Sequence, residues 1–167
     1  APTRTPHSPV GLRLPSEPPP NIQALDAFKD GRVEIQDEGS QIVCALAGAA
    51  PGMTVVDYCA GGGGKTLALA AAMGNKGQIF ATDSDKRRLA PIHARLERAG
   101  VRNVQVLTPR GAPPIEDLEG AMDLVLIDAP CTGSGTWRRN PDAKWRLRPA
   151  SLADRRKDQA GVIRAGA

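Results

Sequence analysis

The sequence predicts an α/β domain built on a parallel, doubly wound β-sheet. Two observations support this fold class. From Met53 onward, apolar strand-like runs alternate with segments of helical periodicity, which is the pattern of βαβ units. The first run ends in a four-glycine loop, Gly61–Gly64, that leads directly into a helical segment. Ligands of doubly wound sheets gather at the carboxyl ends of the strands, so we expect the functional residues at that edge.

The segment before the sheet is predicted to contain an extended lead-in, a strand and a helix. Residues 1–20 include seven prolines and are interpreted as an extended lead-in or linker, with residues 21–167 forming one domain. Residues 32–36 alternate apolar and polar side chains, which predicts a short strand. Residues 37–47 place Ile42, Val43 and Leu46 on one face, which predicts a helix.

The sheet itself is predicted to have four strands with helical crossovers. The predicted strands cover residues 54–58, 78–82, 104–107 and 122–128, and the predicted helices cover residues 65–73 and 85–99. Pro91 should kink or restart the second of these helices. A further helix is expected from Leu152, with Ser151 as N-cap and Asp154 three residues later. A doubly wound domain would return from that helix to another strand, so we expect the fold to continue beyond residue 167.

Composition fits a soluble globular protein, since 41% of the 167 residues are hydrophobic and 24% are charged. No apolar run approaches the roughly 18 residues that cross a bilayer, and the start lacks a signal-peptide core. These features predict a cytoplasmic protein with no membrane partner. Cys44, Cys59 and Cys131 are widely spaced, which predicts free thiols without a disulfide framework or metal site. The oligomeric state is not indicated.

Basic residues are concentrated at the carboxyl-terminal end. Residues 132–167 hold nine Lys and Arg against three Asp and Glu, whereas residues 1–131 hold 13 against 15. Both tryptophans lie in this basic stretch. Cations interleaved with aromatic rings suit phosphate contact and base stacking, so we predict a nucleic-acid-binding segment made of Trp137, Arg138, Arg139, Lys144, Trp145 and Arg146. The alternative is a solvated basic loop whose tryptophans pack inward.

The strongest motif is DYCAGGGGKT, which covers Asp57 to Thr66. Glycines let backbone N–H groups approach a ligand closely, and the following helix N-terminus favours a carboxylate or phosphate. A phosphate-binding P-loop, G-x-x-x-x-G-K-T, requires glycine five residues before Gly64, where the chain has Cys59. The G-x-G-x-x-G spacing of dinucleotide-binding loops is also missing. The loop therefore disfavours nucleoside triphosphates and dinucleotides as ligands.

Two carboxylates and one thiol follow later strands. Asp83 ends the second strand, where a carboxylate can accept hydrogen bonds from ribose hydroxyls. Capping of the next helix by Asp83 or Asp85 is the structural alternative. Asp128 closes the fourth strand, and Cys131 follows it in a glycine-rich loop beside the basic segment. We expect a thiol in that setting to be exposed and reactive.

Four motifs in unbroken order resemble the Sun-type (RsmB-like) RNA cytosine-5 methyltransferases of bacteria. They are VEIQDEGSQ, DYCAGGGGKT, ATDSDKRRL and DAPCTGSGTWRRNPDAKWRL, and the resemblance covers about residues 10–165. It implies a Rossmann-like methyltransferase fold that binds S-adenosylmethionine and acts on RNA, with ribosomal RNA as the expected partner. The target cytosine is expected to be single-stranded or flipped out of its stack. Residues 21–167 would then be the N-terminal portion of the catalytic domain.

The resemblance also implies a role for individual residues. The methionine part of the cofactor would be cradled by Cys59, Ala60, Gly61, Gly62, Gly63, Gly64 and Lys65. Asp83 would hold the ribose, and Asp128 would face both cofactor and target base. Cys131, Asp128 and Lys65 are the candidates for catalytic roles.

Cytosine methylation requires a thiolate because carbon 5 of the base is a poor nucleophile. Addition of a thiolate to carbon 6 gives an enamine that attacks the methyl group, and loss of the carbon 5 proton then releases the enzyme. The resemblance implies two cysteines: a nucleophile in a Thr-Cys motif after the next strand, and a Pro-Cys cysteine for product release. Only the second is present, as Cys131, so we expect this chain to bind cofactor and to be inactive by itself.

Two other positions depart from the family pattern. Gly61-Gly62 replaces the common Ala-Pro, and Thr108-Pro109-Arg110 lacks the acidic residue that usually lies near the adenine. Other interpretations also remain open. Cys131 could itself be the nucleophile, as Pro-Cys cysteines are in DNA cytosine methyltransferases. The chain could be a non-catalytic RNA-binding module whose loop is only a tight turn, or a P-loop nucleotidase, which Cys59 disfavours.

Overall fold

A computed structural model describes residues 1–15, 17–108 and 118–167 of the chain. The described residues form two compact units, Ala1–Leu126 and Ile127–Ala167. Among them, no helix combines the length and apolarity needed to cross a bilayer. The same part of the chain holds no group of three or more His, Cys, Asp or Glu side chains that would suit a metal ion.

The chain begins with a short antiparallel hairpin in which β1 (Thr3–Arg4) pairs with β2 (Leu12–Arg13). The described stretch is thus extended backbone that folds back on itself, and its interpretation as a lead-in or linker stays a prediction. Prolines exclude a helix here, but they do not exclude two-residue strands. Glu38 holds the hairpin turn, because its Oε1 accepts hydrogen bonds from the N–H groups of His7 and Ser8 at 2.8 and 3.1 Å.

The strand predicted over residues 32–36 is wrong, since the segment joins neither sheet of the described chain. Its apolar and polar residues do alternate, but burial does not follow that alternation, since Val33 is partly buried like its polar neighbour Glu34. Ile35 is 52% exposed, whereas Glu34 and Gln36 are partly buried. The two polar side chains turn inward because they bind groups of the first unit, and the alternation reflects those contacts instead of a strand face.

Along the chain, short and medium-length helices precede, separate and follow the strands of the sheet. They are α1 (Asp26–Lys29), α2 (Glu38–Ala47), α3 (Gly64–Ala72), α4 (Lys86–Leu89), α5 (Ile92–Arg98) and α6 (Ser151–Gly166). The break predicted at Pro91 is confirmed, since α4 ends before it and α5 begins after it. The predicted N-cap role of Ser151 is wrong. The helix starts at Ser151 itself, whose Oγ accepts a hydrogen bond from the Arg148 N–H at 3.0 Å.

The predicted central sheet is confirmed. Its strands are β3 (Thr54–Tyr58), β4 (Gln78–Thr82), β5 (Val104–Leu107) and β6 (Leu124–Ile127), in the spatial order β5-β4-β3-β6. β3 pairs in parallel with β4, and β4 with β5. The chain thus progresses outward from β3 to β5 and returns to the other side of β3, which is doubly wound topology. Ligands of such sheets bind beside the strand where the order reverses.

Two clusters of buried side chains stabilise the first unit. One joins α2 and α3 to the sheet and consists of Cys44, Val55, Leu69, Ala70, Met73 and Ile79. The other joins α3, α4 and α5 to the sheet and consists of Leu67, Ala81, Leu89, Ile92 and Leu96. Burial of each large side chain contributes roughly 1.5–3 kcal/mol. The second cluster therefore anchors α5 close to the loop that follows β3.

Candidate functional site

The glycine loop joins the carboxyl end of β3 to the first turn of α3. Three of its residues have left-handed backbone angles: Cys59 at φ 69°, Gly61 at φ 52° and Gly63 at φ 80°. This conformation suits glycine, but it is strained for cysteine by about 1–2 kcal/mol. Strained residues cluster at functional sites, so the backbone at Cys59 marks the loop as a candidate site.

The carboxylate of Asp83 binds the glycine loop. Tyr58 and Thr82 are paired at the ends of β3 and β4, so the residues that follow them leave the sheet side by side. The Gly61 N–H donates to Asp83 Oδ2 at 3.0 Å, and the Asp83 side chain is 1% exposed. Arg88 Nη1 lies 3.5 Å from the same oxygen. The structure thus brings two of the predicted cofactor-binding elements, the loop and Asp83, into contact.

The neighbouring carboxylate Asp85 has a different task. Its Oδ1 accepts a hydrogen bond from the Arg87 N–H at 2.8 Å and thereby caps the N-terminus of α4. Asp83 does not cap that helix, although its Oδ1 accepts the Asp85 N–H at 2.9 Å. The capping alternative therefore applies to Asp85.

A buried hydrogen bond fixes the start of α3 beneath the loop. Thr66 Oγ1 donates to Asp57 Oδ2 at 2.6 Å, and both residues are 0% exposed. Sequence reasoning included these two residues in the motif without giving them a role. The two residues are nine positions apart, one in β3 and one in α3. Their contact is therefore evident only in the folded structure.

Glu34, Gln36 and Arg95 also hold the glycine loop, and sequence reasoning missed all three. Gln36 Nε2 donates to the Gly64 carbonyl at 3.0 Å. Arg95 Nη1 donates to the Gly62 carbonyl at 2.5 Å, and its Nε lies 3.3 Å from Glu34 Oε2. The only available signal was VEIQDEGSQ, which resembled the family but did not reveal these contacts.

Electrostatics favour the charged form of Glu34. Its partial burial raises the pKa, but the Ile35 N–H and the guanidinium groups of Arg95 and Arg98 outweigh that effect and lower the pKa below the ordinary 4.5. A carboxyl whose pKa is lowered by folding contributes stability above its unfolded pKa, and that contribution disappears as the pH falls through the folded pKa.

We therefore expect Glu34→Gln to lower the free energy of unfolding at pH 7. The difference from the parent chain should shrink as the pH falls below 4.5 and disappear below the folded pKa of Glu34. Urea unfolding of both proteins between pH 3 and 7 measures this difference. Glu97→Gln on the exposed side of α5 makes the same change in net charge and serves as control. A difference that stays constant over the whole pH range would contradict the expected role.

The remaining predicted site residues have the following positions. Lys65 is partly buried in the first turn of α3. Asp128, directly after β6, is exposed. Cys131 is exposed, as predicted, and its Sγ accepts a hydrogen bond from the Gly133 N–H at 3.4 Å. Of the three positions proposed near the adenine, Thr108 ends the described part of that segment, and Pro109 and Arg110 lie outside the described residues.

The predicted nucleic-acid-binding segment is exposed at all six positions: Trp137, Arg138, Arg139, Lys144, Trp145 and Arg146. Trp145 is 79% exposed and Trp137 is 36% exposed. The ammonium group of Lys144 lies 4.8 Å from the centre of the Trp145 ring, which is within the range of a cation–π contact. The inward packing considered for the tryptophans is therefore wrong for Trp145.

Comparisons with known proteins agree with the resemblance seen in the motifs. Residues 44–167 match the family model described as 16S rRNA methyltransferase RsmB/F. A probable ribosomal RNA small subunit methyltransferase B from Synechocystis sp. is 36% identical over 94% of this chain and 35% of its own length. The corresponding protein of Citrobacter koseri is 35% identical over 96% of this chain and 37% of its own length. The chain thus spans about a third of these relatives.

Solved structures show a similar backbone. The crystal structure of PH0851 is 34% identical and superposes with a TM-score of 0.88 over 99% of this chain and 37% of its own. NSun6 from Pyrococcus horikoshii, crystallised with the S-adenosylmethionine analogue SFG, is 29% identical. It has a TM-score of 0.77 over 88% of this chain and 37% of its own. These similarities confirm the Rossmann-like methyltransferase fold.

Proposed function

The chain belongs to the RsmB/F family of 16S rRNA methyltransferases, and on that premise we propose that it binds S-adenosylmethionine within an enzyme that methylates ribosomal RNA at carbon 5 of cytosine. One observation carries the proposal. The loop after β3 and the carboxylate after β4 are joined by the hydrogen bond between Gly61 and Asp83. Together they supply backbone donors and a buried acceptor at the carboxyl edge of the sheet, where such folds bind ligands.

The residues present fit this cofactor. A Cβ at Gly61 would lie 3.5 Å from Arg88 Nη2 and 3.9 Å from Asp83 Oδ2, so the loop passes directly beside the carboxylate at this glycine. Each Asp83 oxygen accepts one backbone N–H, and a carboxylate offers about four lone-pair sites, so lone pairs remain for ribose hydroxyls once the Arg88 guanidinium group has moved away from Oδ2. The N-terminus of α3 favours the methionine carboxylate. We assign the methionine part to Cys59–Lys65 and the ribose to Asp83.

The proposed chemistry gives a role to individual residues of the chain. S-adenosylmethionine supplies an activated methyl group when it is bound. We assign Cys131, which is exposed, to product release, the step in which the carbon 5 proton is lost and the bond between the nucleophile's sulfur and carbon 6 breaks. Asp128 is assigned to face the cofactor and the base, and Lys65 remains a catalytic candidate. No cysteine follows Cys131 in these 167 residues, so we propose that they do not complete the reaction by themselves.

The exposed segment with Trp137 and Trp145 is proposed to bind the RNA. Its cations would contact phosphates, and its indole rings would stack on bases of single-stranded RNA. The 79% exposure of Trp145 supports this assignment, because a large aromatic ring that remains accessible can stack on a base.

Calorimetric titration of the chain with S-adenosylmethionine tests the proposal, and one bound cofactor per chain is expected. Incubation with an RNA that contains 5-fluorocytosine tests the cysteine roles, because this base traps a thiol adduct. We expect no adduct with the 167-residue chain. An adduct that Cys131→Ala abolishes would instead make Cys131 the nucleophile, and formation of 5-methylcytosine by this chain would disprove the proposed inactivity.

A second candidate function is non-catalytic RNA binding. The contact between Lys144 and the exposed Trp145 ring favours it, since this pair can bind RNA without any cofactor. The two functions differ in the titration. RNA binding without S-adenosylmethionine binding would favour the second function, whereas binding of both would favour the methyltransferase.

A further inference from the structure

Arg95 connects the glycine loop to a residue far away in the chain. Its guanidinium group forms a fork in which Nη1 binds the Gly62 carbonyl and Nε faces Glu34 Oε2. The Arg95 side chain is 26% exposed and the Glu34 side chain is 23% exposed, so the ion pair is partly buried. A planar guanidinium can make two directed contacts at once, whereas the single ammonium of lysine cannot reproduce this geometry.

The loop needs such a contact because four consecutive glycines have large conformational freedom. Glycine loses more backbone entropy on ordering than any other residue. The Gly61 N–H is held by Asp83, and the Gly63 N–H by the Ala60 carbonyl at 3.0 Å. The carbonyl of Gly62 belongs to the same rigid peptide plane as the Gly63 N–H. Arg95 and Ala60 therefore fix this peptide plane from its two opposite edges.

Packing supports the same conclusion. A Cβ at Gly62 would lie 3.2 Å from Arg95 Nη1, so a side chain at residue 62 requires the guanidinium group to shift by a few tenths of an ångström. No left-handed φ is recorded at Gly62, and an alanine there is compatible with the backbone. Close packing, and not backbone strain, is thus the reason why glycine suits this position.

We propose that Arg95, oriented by Glu34, is a positioning residue that holds the glycine loop in the conformation that binds the cofactor. The role in cofactor binding rests on the proposed function, but the role in ordering the loop does not. Arg95 does not need to touch the cofactor. Its effect is exerted through the Gly62 carbonyl and the adjoining peptide plane.

Arg98 provides a matched control on the same helix. Its Nη2 also binds Glu34 Oε2, at 2.5 Å, and its side chain is 19% exposed. The rest of its guanidinium group binds elsewhere, since Nη1 donates to the Phe28 carbonyl at 2.9 Å and the group lies 3.9 Å from the Phe28 ring centre. Arg98 therefore pairs with Glu34 and is partly buried, as Arg95 is. Its described hydrogen bonds go to Glu34 and Phe28 and not to the glycine loop.

The experiment compares Arg95→Ala, Arg95→Lys and Arg98→Ala in the 167-residue chain. Amide hydrogen exchange at residues 61–64 reports loop order, calorimetry with S-adenosylmethionine reports affinity, and urea unfolding reports global stability. Loss of one charge-assisted hydrogen bond predicts about tenfold faster loop exchange and about tenfold weaker binding for both Arg95 variants. Arg98→Ala should lower global stability but leave cofactor affinity unchanged. It should also leave amide exchange of the loop unchanged, after the contribution of global unfolding to the exchange rate has been subtracted.

A double substitution gives a sharper result. In the parent chain, Gly62→Ala should displace the guanidinium group and weaken cofactor binding. In the Arg95→Ala background the new methyl group has room and restricts the loop, so Gly62→Ala should recover part of the lost affinity. The sign of the Gly62→Ala effect therefore reverses between the two backgrounds, which a purely global loss of stability does not produce.

The outcomes separate this inference from the proposed function. In the first outcome, the parent chain binds the cofactor and the Arg95 variants show the same loop exchange and the same affinity. This outcome would overturn the positioning role alone. Equal local effects of Arg98→Ala would overturn it as well, because the ion pair would then act only on overall stability. Faster loop exchange in Arg95→Lys, together with no cofactor binding by the parent chain, would support the positioning role and refute the proposed function.

Discussion

Replacement of Gly63 by alanine is expected to reduce the free energy of unfolding by about 2–5 kcal/mol. Two effects add at this residue. Its φ of 80° is left-handed, which costs an alanine roughly 1–2 kcal/mol. The new Cβ would also lie 2.4 Å from Ile92 Cγ1, and relief of such an overlap within a packed core costs roughly 1–3 kcal/mol. Urea unfolding of the variant and the parent chain measures the loss. The comparison is valid when the unfolding free energy falls with urea concentration at the same slope in both proteins.

Gly74→Ala serves as the control for Gly63→Ala. Gly74 also has a left-handed φ, 58°, but a Cβ there would meet no atom within 4 Å. This variant should lose only about 1–2 kcal/mol, which is the backbone contribution alone. Equal losses for the two variants would show that Ile92 moves aside without cost, and the contact between α5 and the loop would then be looser than the structure indicates.

Asp83→Ala is expected to weaken S-adenosylmethionine binding about 100-fold. Two charge-assisted hydrogen bonds to ribose hydroxyls, each worth roughly 1.5 kcal/mol, account for this factor. Loss of the acceptor for the Gly61 N–H should weaken binding further, because the loop then loses one of its fixed points. Calorimetric titration well below the unfolding temperature of the variant measures the affinity while the protein remains folded.

Asp85→Ala is the matched comparison for Asp83→Ala. Asp85 is two residues away and caps α4, so its removal should lower stability by about 0.5–2 kcal/mol. We expect its affinity for the cofactor to stay close to that of the parent chain. If both variants lost affinity equally, disruption of the segment before α4 would explain the loss, and the assignment of the ribose to Asp83 would fail.

Local sequence patterns predicted the central part of the fold. The strands over residues 54–58, 78–82 and 104–107 were predicted with the bounds that the structure shows, because each is a short apolar run between turn residues. The glycine loop and Asp83 were predicted to lie at one edge because strand ends in such sheets carry ligand-binding residues, and the structure shows them in contact. The first strand-like segment was wrong because alternation alone does not reveal which set of side chains points inward.

The supports of the loop could not be predicted for a related reason. Glu34 and Arg95 are 61 residues apart, and Gln36 and Gly64 are 28 apart. Nothing in the local composition around Glu34 or Arg95 indicates a partner in the glycine loop. Their partners become evident only when α5 packs on the sheet and brings Arg95 to Gly62. Contacts of this kind depend on the tertiary fold, and local periodicity carries no information about them.

The covered carboxylate of Asp83 has a consequence for the kinetics of binding. Its side chain is 1% exposed, with the Gly61 N–H and the Arg88 guanidinium group beside the same oxygen. A ligand hydroxyl can reach that oxygen only after one of these groups has moved, and Arg88, which is 57% exposed, is the freer of the two. Association should then proceed in two steps, and its rate should level off at high ligand concentration because opening of the carboxylate becomes limiting.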